Sequence, residues 1–456
     1  MFRSIVTTFG NCFKIPELKS RILFTLGVLA ICRLAALIPL PWLNGAALAD
    51  YMEKNDRGGV LGMFSMFTGG GMEHCAIGSL GIMPYISATI IIQLLSAVIP
   101  SLSKMAREDG GRTKIIQYGR YLTVLLCIGW GTASAIGWEH PGNIFNGFQG
   151  KLVIYENLWL YRILTVIALT AGTMLLMWLG EQITERGIGN GISLIITINI
   201  LARMPQAAQG LYDMFFGAAS ATSGSKTVNI IMLLVLLATV IAVVIAITQA
   251  QRKIPVQYAQ RAVGRKVYSG GTSFMPLRVN YAGVMPIIFA GAVLMFPQQI
   301  LLLLGKSLNV PFFADLARKL SHGSPLYLTL YALMILAFSY FWVATQFNEI
   351  QIADDLKKNG GYIPGVRPGQ ATSDYLHNSM SRITLAGAVI LCVIAVIPEI
   401  LYDFMGMPNA VAQFFGGTSM LITVGVLLDT MRQMESHLLM RHYDGFLKKG
   451  KVKGRF

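Results

Sequence analysis

Charged side chains are scarce in this sequence. Asp, Glu, Lys and Arg make up 13% of its 456 residues, whereas a soluble domain carries about a quarter. Apolar runs of roughly twenty residues follow one another instead, and each can cross about 30 Å of hydrocarbon as a helix. The ~10-residue alternating segments of a membrane β-barrel are missing. The sequence therefore predicts an all-α polytopic membrane protein.

Cysteines and catalytic motifs are equally sparse. The five cysteines are scattered and no two have metal-ligand spacing, so we expect neither a disulfide framework nor a metal site. The sequence RGIGNG (186–191) lacks the preceding strand that a phosphate-binding glycine loop needs. No catalytic triad or nucleotide motif is visible. We therefore expect no enzymatic activity and no cofactor, and a partner has to supply the energy for any transport.

Ten apolar runs predict ten membrane-spanning helices, the first of them a retained span and not a signal peptide. Of the 37 Lys and Arg residues, 27 lie in loops on the side of the two termini and 8 lie on the other side. This positive-inside asymmetry places both termini in the cytoplasm. Arg203 and Pro205 interrupt the fifth span. The predicted spans are 22–40, 77–99, 121–138, 158–179, 190–209, 229–248, 281–304, 326–347, 383–402 and 412–430.

These spans divide the chain into six regions. The regions are 1–21, an amphipathic cytoplasmic segment; 22–209, the N-terminal half with spans one to five; 210–248, an outer loop and span six; 249–280, a basic cytoplasmic loop; 281–430, the rest of the C-terminal half with the cytoplasmic loop 348–382; and 431–456, a basic cytoplasmic tail.

A short motif occurs twice, five spans apart. GIMPYIS (81–87) and GVMPIIF (283–289) both read Gly, β-branched residue, Met, Pro, any residue, Ile. Halves with an odd number of spans cross in opposite directions, so this distance indicates two inverted, pseudo-symmetric halves of five helices. Pro84 and Pro286 each remove a backbone donor, and matched breaks in both halves point to a central cavity or pore. A plain kink at either proline is the alternative.

Ionisable residues are almost absent from the predicted spans. Arg33 and Arg162 lie within spans with no obvious partner, while Ile82, Ile86 and Ile288 lie close to the paired prolines. An apolar constriction can block ions by dewetting, although isoleucine is also ordinary packing or lipid-facing material. Inverted repeats equally allow a secondary transporter, but that would need charges near the helix breaks, and these are missing. An intramembrane protease would need a catalytic constellation at membrane depth, and none is visible.

Six longer motifs follow one another along nearly the whole chain. They are SLGIMPYISATIIIQLL (79–95), GEQITERGIGNGISLII (180–196), QRKIPVQYAQR (251–261), VNYAGVMPIIFA (279–290), NGGYIPGVRPG (359–369) and FGGTSMLI (415–422). Together they resemble the SecY family of protein-conducting channels. One departure is the lysine in QRKIPVQ, where the family often has a second arginine; the charge is kept, but any bidentate contact is weakened.

The resemblance implies a channel with a central hourglass pore. Such a channel moves unfolded secretory polypeptides across the bacterial cytoplasmic (inner) membrane and releases transmembrane segments sideways into it. The segment after the first span, Gly59–Met72, corresponds to a plug that seals the pore from outside, with glycines as hinges. The family's pore ring falls on Ile82, Ile86, Ile196, Ile288 and Ile422. The apolar side chains of the plug are Val60, Leu61, Met63, Phe64, Met66 and Phe67.

The resemblance also implies a lateral gate between spans two and three and spans seven and eight. Ser87, Thr89 and Gln93 give span two a polar edge there, and Phe296 faces it from span seven. Opening this seam would let an apolar signal sequence pass into lipid. Ordinary hydrogen bonding between helices is the alternative for the three polar residues.

The two long cytoplasmic loops are basic and imply a docking face. Arg252, Lys253 and Arg367 match family positions that contact the SecA motor ATPase and the ribosome, and basic surfaces suit RNA phosphates or an acidic partner. For most other loop charges, plain positive-inside bias is the alternative. The further partners implied are the SecE and SecG subunits, signal peptides, nascent chains and membrane lipids.

Overall fold

The computed structural model describes residues 15–54, 65, 67–107, 110–141, 150–216, 226–258, 261–263, 266–268, 272–307, 311–320, 324–405, 414 and 417–449. Helices dominate these residues. In chain order the elements are α1 (Pro16–Ala35), α2 (Gly45–Lys54), α3 (Met83–Val98), α4 (Pro100–Arg107), α5 (Gly111–Glu139), α6 (Leu158–Arg186), α7 (Gly191–Leu201), α8 (Met204–Phe216), α9 (Lys226–Gln249), β1 (Gln251–Tyr258), β2 (Arg261–Val263), β3 (Lys266–Tyr268), β4 (Thr272–Arg278), α10 (Met285–Ser307), α11 (Pro311–Lys319), α12 (Pro325–Gln346), α13 (Glu349–Lys358), β5 (Gly361–Tyr362), α14 (Gln370–Met405) and α15 (Gly417–Lys449).

The chain forms two compact units. The first comprises Met1–Asp213, Pro408–Phe414 and Ile422–Phe456, and the second comprises Met214–Met407 and Phe415–Leu421. In the first unit, α5 packs against both α3 and α6. Large apolar side chains such as Trp138, Tyr161 and Leu169 form the core beside these helices. In the second unit, α12 packs against α10 and α14, and the rings of Phe289 and Trp342 meet edge to face at 5.3 Å.

Five of the described helices are long and apolar enough to cross a membrane. These are Thr113–Glu139, Leu158–Arg186, Gly191–Tyr212, Pro325–Lys358 and Gln370–Ile397, and shorter apolar helices cover Met83–Ser96 and Leu237–Gln249. They coincide with seven of the ten predicted spans. The other three predicted spans overlap α1, α10 and α15. Large apolar side chains such as Leu125, Ile167 and Leu333 point outward from these helices, as expected where the surrounding solvent is lipid.

The predicted loop 249–280 departs from the all-α prediction, because its described residues form strands. β1 pairs antiparallel with β4 along its length and with β5 at Gln257 and Tyr258, so the sheet order is β4-β1-β5. A separate pair joins β2 and β3. Ile254 and Val256 alternate with exposed residues on β1 and pack in the core that contains Leu376 of α14. This period of two is the strand pattern, and its β-branched residues favour it.

The paired prolines start helices and do not kink them. Pro84 is the second residue of α3, and Pro286 is the second residue of α10. A proline in the first turn loses no intrahelical hydrogen bond, because the N–H at that position has no helical acceptor. The glycine three residues earlier has a left-handed backbone in both cases, with φ of 58° at Gly81 and 64° at Gly283. The sequence repeat therefore corresponds to the same local backbone in both units.

We predict that Gly78→Ala lowers the stability of the protein, while Gly27→Ala does not. A Cβ on Gly78 would lie 2.9 Å from the carbonyl oxygen of Ala35, whereas a Cβ on Gly27 meets nothing within 4 Å. Forcing backbone apart in this way costs about 1–3 kcal/mol. Thermal unfolding of the detergent-solubilised variants measures the difference. Equal melting temperatures would show that residue 78 tolerates a side chain.

Candidate functional site

A buried irregular stretch leads into α3, and we call its described residues, 65 and 67–82, the return segment. It is held against the end of α1 by backbone hydrogen bonds. The N–H groups of Gly78 and Ile77 donate to the carbonyls of Ala35 and Ile38, each at 3.0 Å, and the N–H of Leu40 donates to Cys75 O at 3.0 Å. The last carbonyls of a helix have no intrahelical partner. The return segment satisfies one of these, the carbonyl of Ala35, and its other two bonds join it to the residues that follow α1. Together these bonds position residues 75–78 of the return segment.

The start of the return segment is a tight turn bound by two distant side chains. Arg33 Nη1 donates to the carbonyl of Gly69 at 2.6 Å, and Asn199 Nδ2 donates to the carbonyl of Phe67 at 2.9 Å. Gly69 and Gly70 have φ of 64° and 89°, and a Cβ on Gly69 would lie 2.8 Å from Asn199 Oδ1. Glycine is therefore required at residue 69 by both backbone and space.

A buried ion pair completes this site. Arg203 Nη2 lies 2.7 Å from Glu73 Oε1, and the side chains of Arg203 and Glu73 are only 12% and 6% exposed. Ser65 Oγ donates to the same carboxylate oxygen at 2.8 Å and accepts from Arg203 Nη2. Buried charges persist only when paired and hydrogen-bonded. We call this set the polar clasp; its members are Arg33, Ser65, Glu73, Asn199 and Arg203.

Two expectations from the sequence are wrong here. Arg33 has a partner in the return segment, and Arg162 forms a bidentate pair with Glu139 at 2.6 and 2.7 Å. Charge is also present near a helix break, because Arg203 directly precedes α8. The sequence did not predict these partners, because Gly69 is 36 residues away from Arg33 and Glu73 is 130 residues away from Arg203. An arginine in an apolar run and a nearby glutamate were the available signals.

The five predicted pore-ring isoleucines are all buried. Ile82, Ile86, Ile196 and Ile422 belong to the first unit, and Ile288 belongs to the second. Burial excludes the alternative that these side chains face lipid. It is compatible both with ordinary packing and with lining a pore. The ring itself stays a prediction. Of the predicted plug residues, Phe67 is half-buried at the start of the return segment. The others, Val60, Leu61, Met63, Phe64 and Met66, lie outside the described residues.

The predicted lateral-gate residues of span two lie on α3. Ser87 is buried, and Thr89 and Gln93 are half-buried. Thr89 Oγ1 donates to the carbonyl of Tyr85 within the same helix at 2.9 Å, so this proton is not shared with another helix. Ser87 Oγ has no hydrogen-bond partner among the described residues. Phe296 belongs to α10, and its side chain lies outside the described residues.

The predicted docking residues lie on one small sheet and the turn beside it. Arg252 and Lys253 are exposed on β1, and Arg367 is exposed between β5 and α14. Because β1 pairs with β5, the loops 249–280 and 348–382 form one sheet. The carbonyl of Arg367 accepts a 2.9 Å hydrogen bond from Thr372 Oγ1, which fixes the backbone of the turn. The sequence did not indicate this pairing.

Comparison with known proteins identifies relatives over the whole chain. The family model described as SecY matches residues 76–431. The protein translocase subunit SecY of Escherichia coli strain K12 is 42% identical over 440 residues, which cover 96% of each chain.

The solved structures that share the fold include the following two. One concerns the plug domain of a SecY protein, described as stabilising the closed state of the translocation channel and maintaining a membrane seal; it has a TM-score of 0.59 at 18% identity and covers 95% of this chain and 94% of that one. The other is Sec61 in a canine ribosome–channel complex from the endoplasmic reticulum, with a TM-score of 0.56 at 17% identity and coverage of 95% and 94%.

We predict that Arg33→Met makes Cys75 react faster with iodoacetamide in a chain whose other cysteines are replaced by alanine. Cys75 is fully buried, and burial raises the pKa of its thiol to about 12. An unpaired buried carbonyl at Gly69 costs about 1–3 kcal/mol, so the return segment should open about tenfold more often. Mass spectrometry of the alkylated protein measures the rate.

The matched control is Arg120→Met, which removes an ion pair with Glu181 on other helices. It should leave alkylation of Cys75 unchanged. If Arg33→Met and Arg120→Met behave alike, Arg33 does not hold the return segment.

Proposed function

Since the chain belongs to the SecY family, we propose that its return segment is the root of a plug and that its buried isoleucines form the constriction of a protein-conducting channel. Family membership makes the protein a protein-conducting channel in a membrane that it crosses several times. The proposal extends this to the layout: ten helices in two inverted halves of five around an hourglass pore, in the bacterial cytoplasmic membrane, with both termini in the cytoplasm.

The polar clasp supports the plug proposal most directly. A plug has to be seated firmly at rest and still be able to leave. The clasp binds the return segment at the carbonyls of Phe67 and Gly69 and at the side chain of Glu73. These contacts come at and directly after the end of the apolar sequence VLGMFSMF (60–67). Gly69 and Gly70 take the left-handed backbone that lets the chain turn sharply after this sequence. The return segment runs directly into α3, where Ile86 lies two residues after Pro84.

A ring of branched aliphatic side chains suits the passage of unfolded chains. It offers no hydrogen bond to a moving polypeptide and excludes water and ions when closed. The proposed ring residues are Ile82, Ile86, Ile196, Ile288 and Ile422, and the burial of all five is compatible with this role. The charges of the clasp do not favour a secondary transporter, because Arg203 pairs with Glu73 and Arg33 binds a backbone carbonyl.

Lateral release of transmembrane segments is proposed to occur beside α3 and α10. Ser87, Thr89 and Gln93 on α3 and Phe296 on α10 are the proposed gate residues. Ser87 supports the assignment best, because its buried hydroxyl has no hydrogen-bond partner among the described residues. An unpaired hydroxyl in an apolar setting raises the free energy of the closed state. Separating the helices at Ser87 therefore breaks no hydrogen bond of this hydroxyl and costs little free energy.

The sheet β4-β1-β5 and its adjoining turn are the proposed docking face. Arg252, Lys253 and Arg367 are exposed on it, and clustered positive charge attracts RNA phosphates and acidic protein surfaces. We propose that the ribosome and the SecA motor ATPase dock there. The other proposed partners are SecE, SecG, signal peptides, nascent chains and membrane lipids.

We predict that Ile288→Asn raises the resting ion leak of reconstituted vesicles and relaxes signal-sequence discrimination. An amide in the constriction stabilises water there, which an apolar ring excludes. The control is Ile167→Asn, at an outward-facing position of α6, which should leave the leak at the level of the unmodified protein. Unchanged leak and unchanged discrimination in the Ile288→Asn variant would contradict a constriction at this residue.

We predict that Arg367→Glu strongly reduces SecA-driven export of a secretory precursor into vesicles, while the variant itself still inserts into the membrane. Reversal of one exposed charge changes docking electrostatics without touching the core. Lys319→Glu, an exposed charge reversal on α11 in a predicted outer loop, is the control for net charge. Normal SecA-dependent transport by the Arg367→Glu variant would refute docking at this turn.

A further inference from the structure

The return segment is held by two chemically different kinds of contact. Arg33 and Asn199 bind the carbonyls of Gly69 and Phe67, so these contacts do not depend on which side chains the plug carries. The contact between Arg203 and Glu73 joins two side chains of opposite charge. It depends on the charges of both side chains, and Ser65 adds a hydrogen bond to each partner.

We infer that the Arg203–Glu73 ion pair is an electrostatic latch that keeps the plug seated in the closed channel and breaks when the plug leaves. This inference rests on the proposed function, because it concerns the same segment. Glu73 is part of the return segment and Arg203 lies between α7 and α8. Movement of the first part of the return segment, up to Glu73, away from these helices therefore separates the two charges.

The surroundings of the pair explain how one contact can be both strong and reversible. Opposite charges attract most strongly where water is excluded, and both side chains are nearly buried. Separating them in a dry setting would leave two unsolvated charges, which is strongly unfavourable. Once the channel opens, water reaches both groups and solvates them. The pair thus favours the fully closed and the fully open states over partly open ones.

The same reasoning explains why a polar latch fits this position. An apolar contact of equal area would be exposed to water on opening and would pull the plug back. A charged pair loses this preference when it is hydrated, because ion pairs in water contribute little net free energy. The latch therefore acts on the closed state without opposing the open one.

The test is a double-mutant cycle on ion leak in vesicles that contain the full chain with its translocase partners. Glu73→Gln keeps the shape and a hydrogen-bond acceptor but removes the charge. Resting leak should rise about tenfold, since the closed state loses its charge-specific contact. Arg203→Gln should raise the leak by a similar factor. The double variant Glu73→Gln/Arg203→Gln should leak no more than either single one, because the two residues act through one contact.

Charge exchange provides a second arm that does not depend on any single variant folding well. Glu73→Arg combined with Arg203→Glu restores opposite charges in reversed order, and it should leak less than either of its single substitutions. Glu139→Gln is the matched control. The carboxylate of Glu139 is also buried, and the substitution breaks its ion pair with Arg162. It should leave the resting leak unchanged.

Failure of the latch and failure of the proposed function give different results. Each vesicle preparation is also assayed for transport of a precursor with a strong signal sequence. If the variants transport normally and leak no more than the unmodified protein, or if the two neutralising substitutions add, the latch is overturned and the channel function stands. If the unmodified chain with its partners transports nothing, the proposed function itself is wrong.

Discussion

Polar groups inside a membrane protein are not hydrated, so they need hydrogen-bond or ion-pair partners within the protein. This constraint determines how the first unit is arranged. The irregular return segment is tolerated because each of its strained or charged parts meets a partner. Its N–H groups at Ile77 and Gly78 bind carbonyls at and just after the end of α1. Its left-handed turn at Gly69 is bound by Arg33. The helix break between α7 and α8 provides Arg203 for Glu73.

This organisation connects stability with gating. The clasp joins three parts of the chain that are far apart in sequence, the end of α1, the return segment and the break in the fifth predicted span. The residues that would seal a channel are apolar, yet the residues that hold them are polar. Apolar packing gives a tight closure with no fixed charge in the path, while hydrogen bonds and an ion pair supply a defined position. In the proposed channel, separating these two tasks would let the plug leave without disturbing the apolar ring.

A comparable constraint acts on the small sheet of the second unit. A long basic loop with no structure of its own could not present charges in a fixed geometry. Here the pairing of β1 with β4 and β5 gives Arg252 and Lys253 a rigid frame. The apolar face of this sheet, with Ile254 and Val256, packs in the core that includes Leu376 of α14. Arg367 follows β5 in a turn that is tied to α14 by Thr372.

The sequence by itself determined the class of protein and where most spans lie, because apolar run length is read directly against bilayer thickness. It also determined the matched GIMP and GVMP motifs, whose glycine and proline restrict backbone locally. Only the tertiary structure decided that Arg33, Arg162 and Arg203 have partners and that two loops share one sheet. Those contacts join residues separated by between 23 and 130 positions. Local sequence propensity does not predict such long-range contacts, because the partner of a side chain depends on how the helices pack and not on its neighbours in the chain.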